Sequence, residues 1–137
     1  MNTIEQWKNV VGYENVYQIS SLGNIRRIQS PYTKRSINKL LKPTDNRGYL
    51  RLPLYKDGKR ERFFIHRLVA EAFIPNFSPS KTYVNHLNCN KQDNRVENLE
   101  WSTPRLNAQH YERHFIKSVI QILKDEGYEI KKTKLPK

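Results

Sequence analysis

Polar and apolar positions alternate most cleanly between Gly48 and Ile65, where Leu50, Leu52 and Leu54 interleave with Tyr49, Arg51, Pro53 and Tyr55. A period of two puts the leucines on one face of a strand. Lys56-Asp57-Gly58 makes the turn, and Arg60 to Ile65 returns with the same alternation, predicting a hairpin. With Phe63 and Ile65 inward beside the leucines, Arg51, Arg60 and Arg62 share the outer face with tyrosines. Pro53 lacks a ladder donor and so predicts a sheet edge. Upstream, Tyr17-Gln18-Ile19-Ser20 and Asn24-Ile25-Arg26-Arg27 flank a Ser21-Leu22-Gly23 turn, a small β unit whose expected core is Trp7, Tyr13, Val16 and Ile19. Downstream, HRLVAEAF carries helical apolar spacing that Pro75 ends. A strand opens at Tyr83-Val84, a polar loop rich in Asn follows, and the mostly apolar Leu99-Glu100-Trp101 reads as a second strand. Ser102-Thr103-Pro104 then offers a hydroxyl cap and a proline at the first helical position. The helix it starts can run to about Glu126, where Gly127 offers a stop, with Phe115, Val119, Ile122 and Leu123 on one face.

Charge changes this picture more than composition does. Lys and Arg number 25 against 13 acidic residues over 137 positions, a net +12 with pI near 9.9. Residues 1–65 hold 13 basic and 5 acidic residues, the more basic half. Basic residues interleaved with aromatics point to a polyanionic partner. Arg26 and Arg27 beside the first turn, Arg51, Arg60 and Arg62 on the hairpin, and Lys42 are the candidate DNA contacts. A basic two-stranded ribbon has the width of the DNA major groove. Residues 29–42 are basic and weakly periodic, an arm along a groove or a linker. The lone cysteine, Cys89, excludes an internal disulfide framework and suits a reducing cytoplasm. The first residues show no cationic leader before an apolar core, and no run is long and apolar enough to span a membrane.

The chemistry concentrates in YVNHLNCNKQDNRVENLEWSTPRLNAQH, residues 83–110. Asn85-His86 ends the first strand, Asn98 follows His86 by twelve positions, and Asn107 follows Asn98 by nine. The stretch resembles the His-Asn-Asn form of the HNH nuclease motif, a ββα-metal site, in the homing-endonuclease branch of phages and mobile introns. IEQWKNVVGYENVYQISSLGNIRRI resembles the N-terminal DNA-binding module attached to such nucleases, and HRLVAEAFIPN the segment that precedes the motif.

The resemblance implies His86 as general base, Asn98 as the residue that shapes the loop, and Asn85 and Asn107 as ligands of one divalent cation. That ion would be Mg²⁺, with Mn²⁺ as a substitute. Many family members have Asp where this chain has Asn85, so both protein ligands would be neutral amides, binding the ion weakly before DNA completes the site. His110 lies three residues beyond Asn107, on roughly the same helical face, in reach of a scissile phosphate or simply packed or solvated. A rival reading takes His86-x2-Cys89 and His110-x3-His114 as zinc-ligand spacings. The expected fold is α+β: a small antiparallel β-rich DNA-binding module and basic arm over residues 1–47, an HNH nuclease domain over 48–126, and a basic tail over 127–137. The expected function is site-selective, metal-dependent nicking of double-stranded DNA by a monomer, leaving 5′-phosphate and 3′-hydroxyl ends. The alternatives are a silent DNA-binding protein on the same scaffold and a zinc-stapled binding module.

Overall fold

A computed structural model describes residues 4–29 and 37–129. The middle of the basic arm and the tail beyond residue 129 lie outside the described residues. Strands β1 (Trp7–Asn9), β2 (Tyr17–Ser20) and β3 (Ile25–Arg27) form an antiparallel sheet in that order. A second sheet joins β4 (Thr44–Asn46), β5 (Tyr49–Lys56) and β6 (Lys59–Phe64), and runs directly into α1 (Ile65–Phe73). A two-stranded ribbon, β7 (Tyr83–His86) with β8 (Leu99–Ser102), leads into α2 (Pro104–Asp125). The β5–β6 turn has positive φ at both Asp57 (51°) and Gly58 (74°), the two-residue geometry that matches strand twist.

Register confirms the alternation read from the hairpin. Pairs Leu52–Phe63 and Leu54–Glu61 share one face, while Arg51–Phe64, Pro53–Arg62 and Tyr55–Arg60 share the other. The two-stranded ribbon expected there is in fact three-stranded. β4 pairs Thr44 with Arg51 and Asn46 with Tyr49, so β5 is central, and a boundary after residue 47 falls between two paired strands. Pro53 nevertheless lies past the end of β4. There the open flank of β5 is closed from afar, since the Tyr55 N–H donates to Tyr17 Oη at 3.1 Å.

A single buried cluster unites the elements: Val10, Tyr17, Ile19 and Ile25 from the first sheet, Leu52 and Leu54 from the second, Ile65, Leu68, Val69 and Ala70 from α1, and Val84 and Leu99 from the ribbon. Tyr13 and Val16 pack against it as expected of them, but Trp7 does not belong to it. Trp7 instead lies under the Arg26 guanidinium, 4.0 Å from its ring centroid, on the face of β1–β2 that pairing places opposite Ile19. The end of the basic arm is also less loose than expected. Leu41 N–H donates to the Ile25 carbonyl at 2.9 Å and its side chain packs on the core.

Candidate active site

The Thr103 hydroxyl accepts from Leu106 N–H at 3.2 Å and Pro104 opens α2, so the helix starts where its sequence signal lies. That start sets Asn107 one turn in and docks α2 on β7. His110 Nε2 reaches the Leu87 carbonyl at 2.9 Å, one residue beyond His86, and so ties the helix to the strand end. One of its two ring nitrogens is engaged in this tie.

Between β7 and β8 a loop of mostly polar residues holds its shape through side-chain bonds. Asn98, buried among them, accepts from Asn88 N–H through Oδ1 at 3.0 Å. Its Nδ2 donates to Asn88 Oδ1 at 2.9 Å and to the Asp93 carbonyl at 2.8 Å, and its own carbonyl accepts from Leu87 N–H. Asp93 forms a two-pronged pair with Arg95 at 2.8 Å on each side, which with a bond from Asn88 holds its carboxyl down at about 2. The loop is pinned from outside as well. Gln92 Nε2 donates to Asp45 Oδ2 at 2.9 Å, and Lys91 Nζ lies 4.7 Å over the Tyr49 ring.

Under this loop sits His86, with no solvent exposure. Its Nε2 lies 2.8 Å from Asn94 Oδ1. An amide oxygen accepts, so Nε2 carries the proton and Nδ1 holds the free lone pair. Burial lowers the His86 pKa below the usual histidine value, opposed by the Asn94 bond and by Asp93. His66, at the start of α1, lies with its ring tilted 54° to that of His86 and 5.0 Å away, with Tyr49 and Phe64 around it. Burial drives His66 down to about 3, with the neighbouring His86 adding to the shift, so its imidazole is neutral.

Five buried side-chain atoms among the described residues have no hydrogen-bond partner: His66 Nδ1, Asn85 Oδ1, His86 Nδ1, Asn107 Oδ1 and Tyr111 Oη. All five belong to β7, the start of α1 or the first turns of α2. Orphaned buried polar atoms cost about 1–3 kcal/mol each, so their concentration in one place marks a function rather than a fold requirement. Asn85 is oriented from behind, its Nδ2 donating to Glu100 Oε1 at 2.9 Å, which turns Oδ1 away from that carboxylate. Two hard, neutral amide oxygens left unpaired suit a hard divalent cation, one that keeps other oxygens from water or phosphate in its shell. The four side chains of the zinc reading are not brought together: among the described residues no group of three or more His, Cys, Asp or Glu side chains is placed to hold a metal ion.

Comparison with known proteins decides the family. Residues 63–109 match the HNH endonuclease model, and residues 5–55 match the NUMOD4 motif. This chain belongs to the HNH endonuclease family. DNA endonuclease I-HmuI of Bacillus phage SP01 is 38% identical over 105 residues, 76% of this chain and 56% of that protein. An uncharacterised HNH endonuclease of Acanthamoeba polyphaga mimivirus is 41% identical over 119 residues, 86% of this chain and 33% of the relative. The chain thus spans from about a third to just over half the length of these curated relatives. Among solved structures, one titled "DNA binding and cleavage by the HNH homing endonuclease I-HmuI" superposes with a TM-score of 0.69 at 33% identity, covering 87% of this chain and 66% of that one. The small antiparallel sheets and flanking helices are the HNH fold of that neighbour.

Three residues at the site were not singled out by sequence reasoning. Asn94 and Glu100 carried no signal, one being an asparagine among several in the loop and the other an exposed acid on a strand. Tyr49 was placed on the outer face of the hairpin, and that face ends against His66 and His86, 5.1 and 5.9 Å from the Tyr49 ring. His66, the first residue of the helical HRLVAEAF segment, is packed against the ring of His86.

Proposed function

We propose that this chain is a metal-dependent DNA endonuclease of the homing type that hydrolyses one phosphodiester bond per event as a monomer. The observation that carries the reading is the free Nδ1 of His86 together with two orphaned amide oxygens, that of Asn85 beside it on β7 and that of Asn107 in the second turn of α2. In this reading His86 Nδ1 takes a proton from a water molecule as that water attacks phosphorus, the P–O3′ bond breaks, the departing 3′ oxygen takes a proton from solvent, and 5′-phosphate and 3′-hydroxyl ends result. A buried imidazole with a lowered pKa stays unprotonated at neutral pH, the state a general base needs. Asn98 keeps the loop over His86 in one conformation, and Asn85 and Asn107 would hold a Mg²⁺ or Mn²⁺ ion through Oδ1. When bound, that ion supplies positive charge to the phosphate and the departing 3′ oxygen. Arg51, Arg60 and Arg62, on the face that leads to Tyr49 and the histidines, receive the duplex backbone and bases.

Nicking of supercoiled DNA by the full chain with Mg²⁺ or Mn²⁺, and with EDTA as control, tests the reading. The wild-type chain should nick, and EDTA should stop it. His86→Ala should lower the rate by about 10²–10⁴ while DNA affinity stays close to wild type. A chain that binds DNA but never nicks it is the silent scaffold, and a His86→Ala variant at full rate takes the base role from His86.

A further inference from the structure

Asn94 is wedged between two parts of the chain that are remote in sequence. On one side its Oδ1 lies 2.8 Å from His86 Nε2. On the other it abuts the β2–β3 turn of the N-terminal sheet. A Cβ built on Gly23 would stand 3.0 Å from Asn94 Cβ and 3.2 Å from its carbonyl oxygen. Two residues on, the Val96 N–H donates to the Ser21 carbonyl at 2.9 Å. The turn itself is stiff, since Ser20 Oγ accepts from the Leu22 and Asn24 N–H groups at 3.2 and 3.0 Å. Asn94 is left 4% exposed, with little room to move.

We propose that Asn94 is a positioning residue for His86, held in place by the glycine turn of the N-terminal sheet, which makes that sheet part of the catalytic geometry as well as of the DNA-binding surface. The proposal rests on the nuclease reading and deepens it. An acceptor oxygen on one ring nitrogen fixes the tautomer and the ring orientation, and so aims the other nitrogen. Without the oxygen, the buried ring can take the other tautomer or turn, and Nδ1 no longer presents its lone pair to the water. Gly23 has φ +87° and lets the turn approach Asn94 as closely as it does. Any side chain there pushes on the residue that aims the base.

A second glycine supplies the control. Gly12 has φ +86°, almost the same backbone conformation, but a Cβ there would meet nothing within 4 Å. Gly12→Ala and Gly23→Ala therefore carry similar backbone strain and differ in contact with Asn94. The experiment measures kcat and KM for nicking by the full chain with Mg²⁺, together with the imidazole ¹⁵N shifts of His86. Asn94→Ala should lower kcat by about 10–100-fold with KM nearly unchanged, the usual effect of removing an outer-shell partner. Asn94→Asp, which keeps an acceptor oxygen, should recover most of the rate. Gly23→Ala should lower kcat more than Gly12→Ala does. The ¹⁵N shifts should report Nε2–H in the wild-type chain and a mixture in Asn94→Ala. Wild-type kcat in a folded Asn94→Ala, or equal effects of the two glycine replacements, overturns the proposal. If Asn94→Ala does not fold, the wild-type spectrum still decides, because His86 protonated on Nδ1 is incompatible with an Asn94 acceptor on Nε2. A wild-type chain that never nicks removes the nuclease reading instead, and the ¹⁵N comparison then tests the Asn94–His86 bond alone.

Discussion

The loop between β7 and β8 and the recess beneath it are built from the same residue type and treat it in opposite ways. In the loop, Asn98 uses both its amide oxygen and its amide nitrogen, and Asn88 donates to Asp93 while accepting from Asn90 N–H and Asn98. In the recess, Asn85 and Asn107 leave Oδ1 buried and unpartnered. The difference separates two uses of asparagine. A fully bonded amide fixes backbone conformation, whereas an oxygen kept dry and unpaired is reserved for a ligand that the chain does not supply.

Exchanging the two kinds of asparagine for alanine breaks that comparison most directly. Asn98→Ala removes three side-chain hydrogen bonds inside a buried loop. At roughly 0.5–1.5 kcal/mol net for each, it should cost about 2–4 kcal/mol in chemical denaturation, and nicking should be lost with the fold at any metal concentration. Asn107→Ala removes no bond from Oδ1, so its unfolding free energy should stay within about 1 kcal/mol of wild type. Its metal titration should move instead, with the Mg²⁺ needed for half-maximal nicking raised by about tenfold or more. If Asn107→Ala unfolded like Asn98→Ala and kept the wild-type metal response, the distinction between bonded and reserved asparagines would not hold.

The two regions were not equally legible in the sequence. The loop's frame could be read because its signals are local: the alternation around β5, the Thr103-Pro104 start of α2, and the spacing that sets Asn98 against the end of β7. Strand β4 could not, since only Thr44 of its three residues favours a strand, Asp45 and Asn46 disfavour one and no apolar alternation runs through them, and they pair because β5 is already formed beside them. Asn94 was hidden among Asn88, Asn90 and Asn98, and which of these reaches His86 depends on the path of the loop rather than on spacing. His66 and His86 are twenty positions apart and on different elements, so no periodicity relates them. Gly23 was readable as a turn glycine, but that its missing side chain makes room for Asn94 is a tertiary fact.

The histidine pair sharpens the comparison through pH. His66 is at about 3 in the folded chain, whereas a free histidine titrates near ~6.5. Below that free value the unfolded chain binds a proton that the folded chain refuses, so acidification favours unfolding and stability is lost as pH falls from about 6.5 toward 3. His86 is lowered as well and acts with the same sign. The steepest slope from His66 alone is about 1.4 kcal/mol per pH unit. His66→Phe keeps an aromatic ring in the cluster and removes this titration, so denaturation curves from pH 7 to pH 4 should flatten. An unchanged pH slope in that variant would put the acid sensitivity elsewhere, with His86 next in line. The nicking rate should rise with pH through an inflection below the ordinary histidine value, because burial keeps His86 unprotonated further into acid.

The smallest effects belong to the basic surfaces, which repeat the contrast between engaged and unengaged groups. Arg26 donates twice to Gln18 Oε1 and stacks on Trp7, and Arg27 donates to Tyr17 Oη at 2.7 Å. Arg51, Arg60 and Arg62 project together from the outer face of β5–β6 and form no ion pair with a described residue. An arginine that touches phosphate alone, changed to Ala, should weaken binding to every sequence alike and flatten the log–log salt slope by about 0.9. One bidentate to a guanine should cost about 1–3 kcal/mol on the preferred site and relax choice at one base pair. At least one of the three hairpin arginines should behave in the second way, because the ββα motif alone presents few groups to base edges. Arg26→Ala and Arg27→Ala should behave in the first way with smaller slopes, since each guanidinium must first give up Gln18 or Tyr17. Fluorescence anisotropy over a salt series, with several duplexes, separates these outcomes. Triple replacement of Arg51, Arg60 and Arg62 that left affinity and cleavage position unchanged would move recognition to the basic segment ending at Lys42 or to the tail.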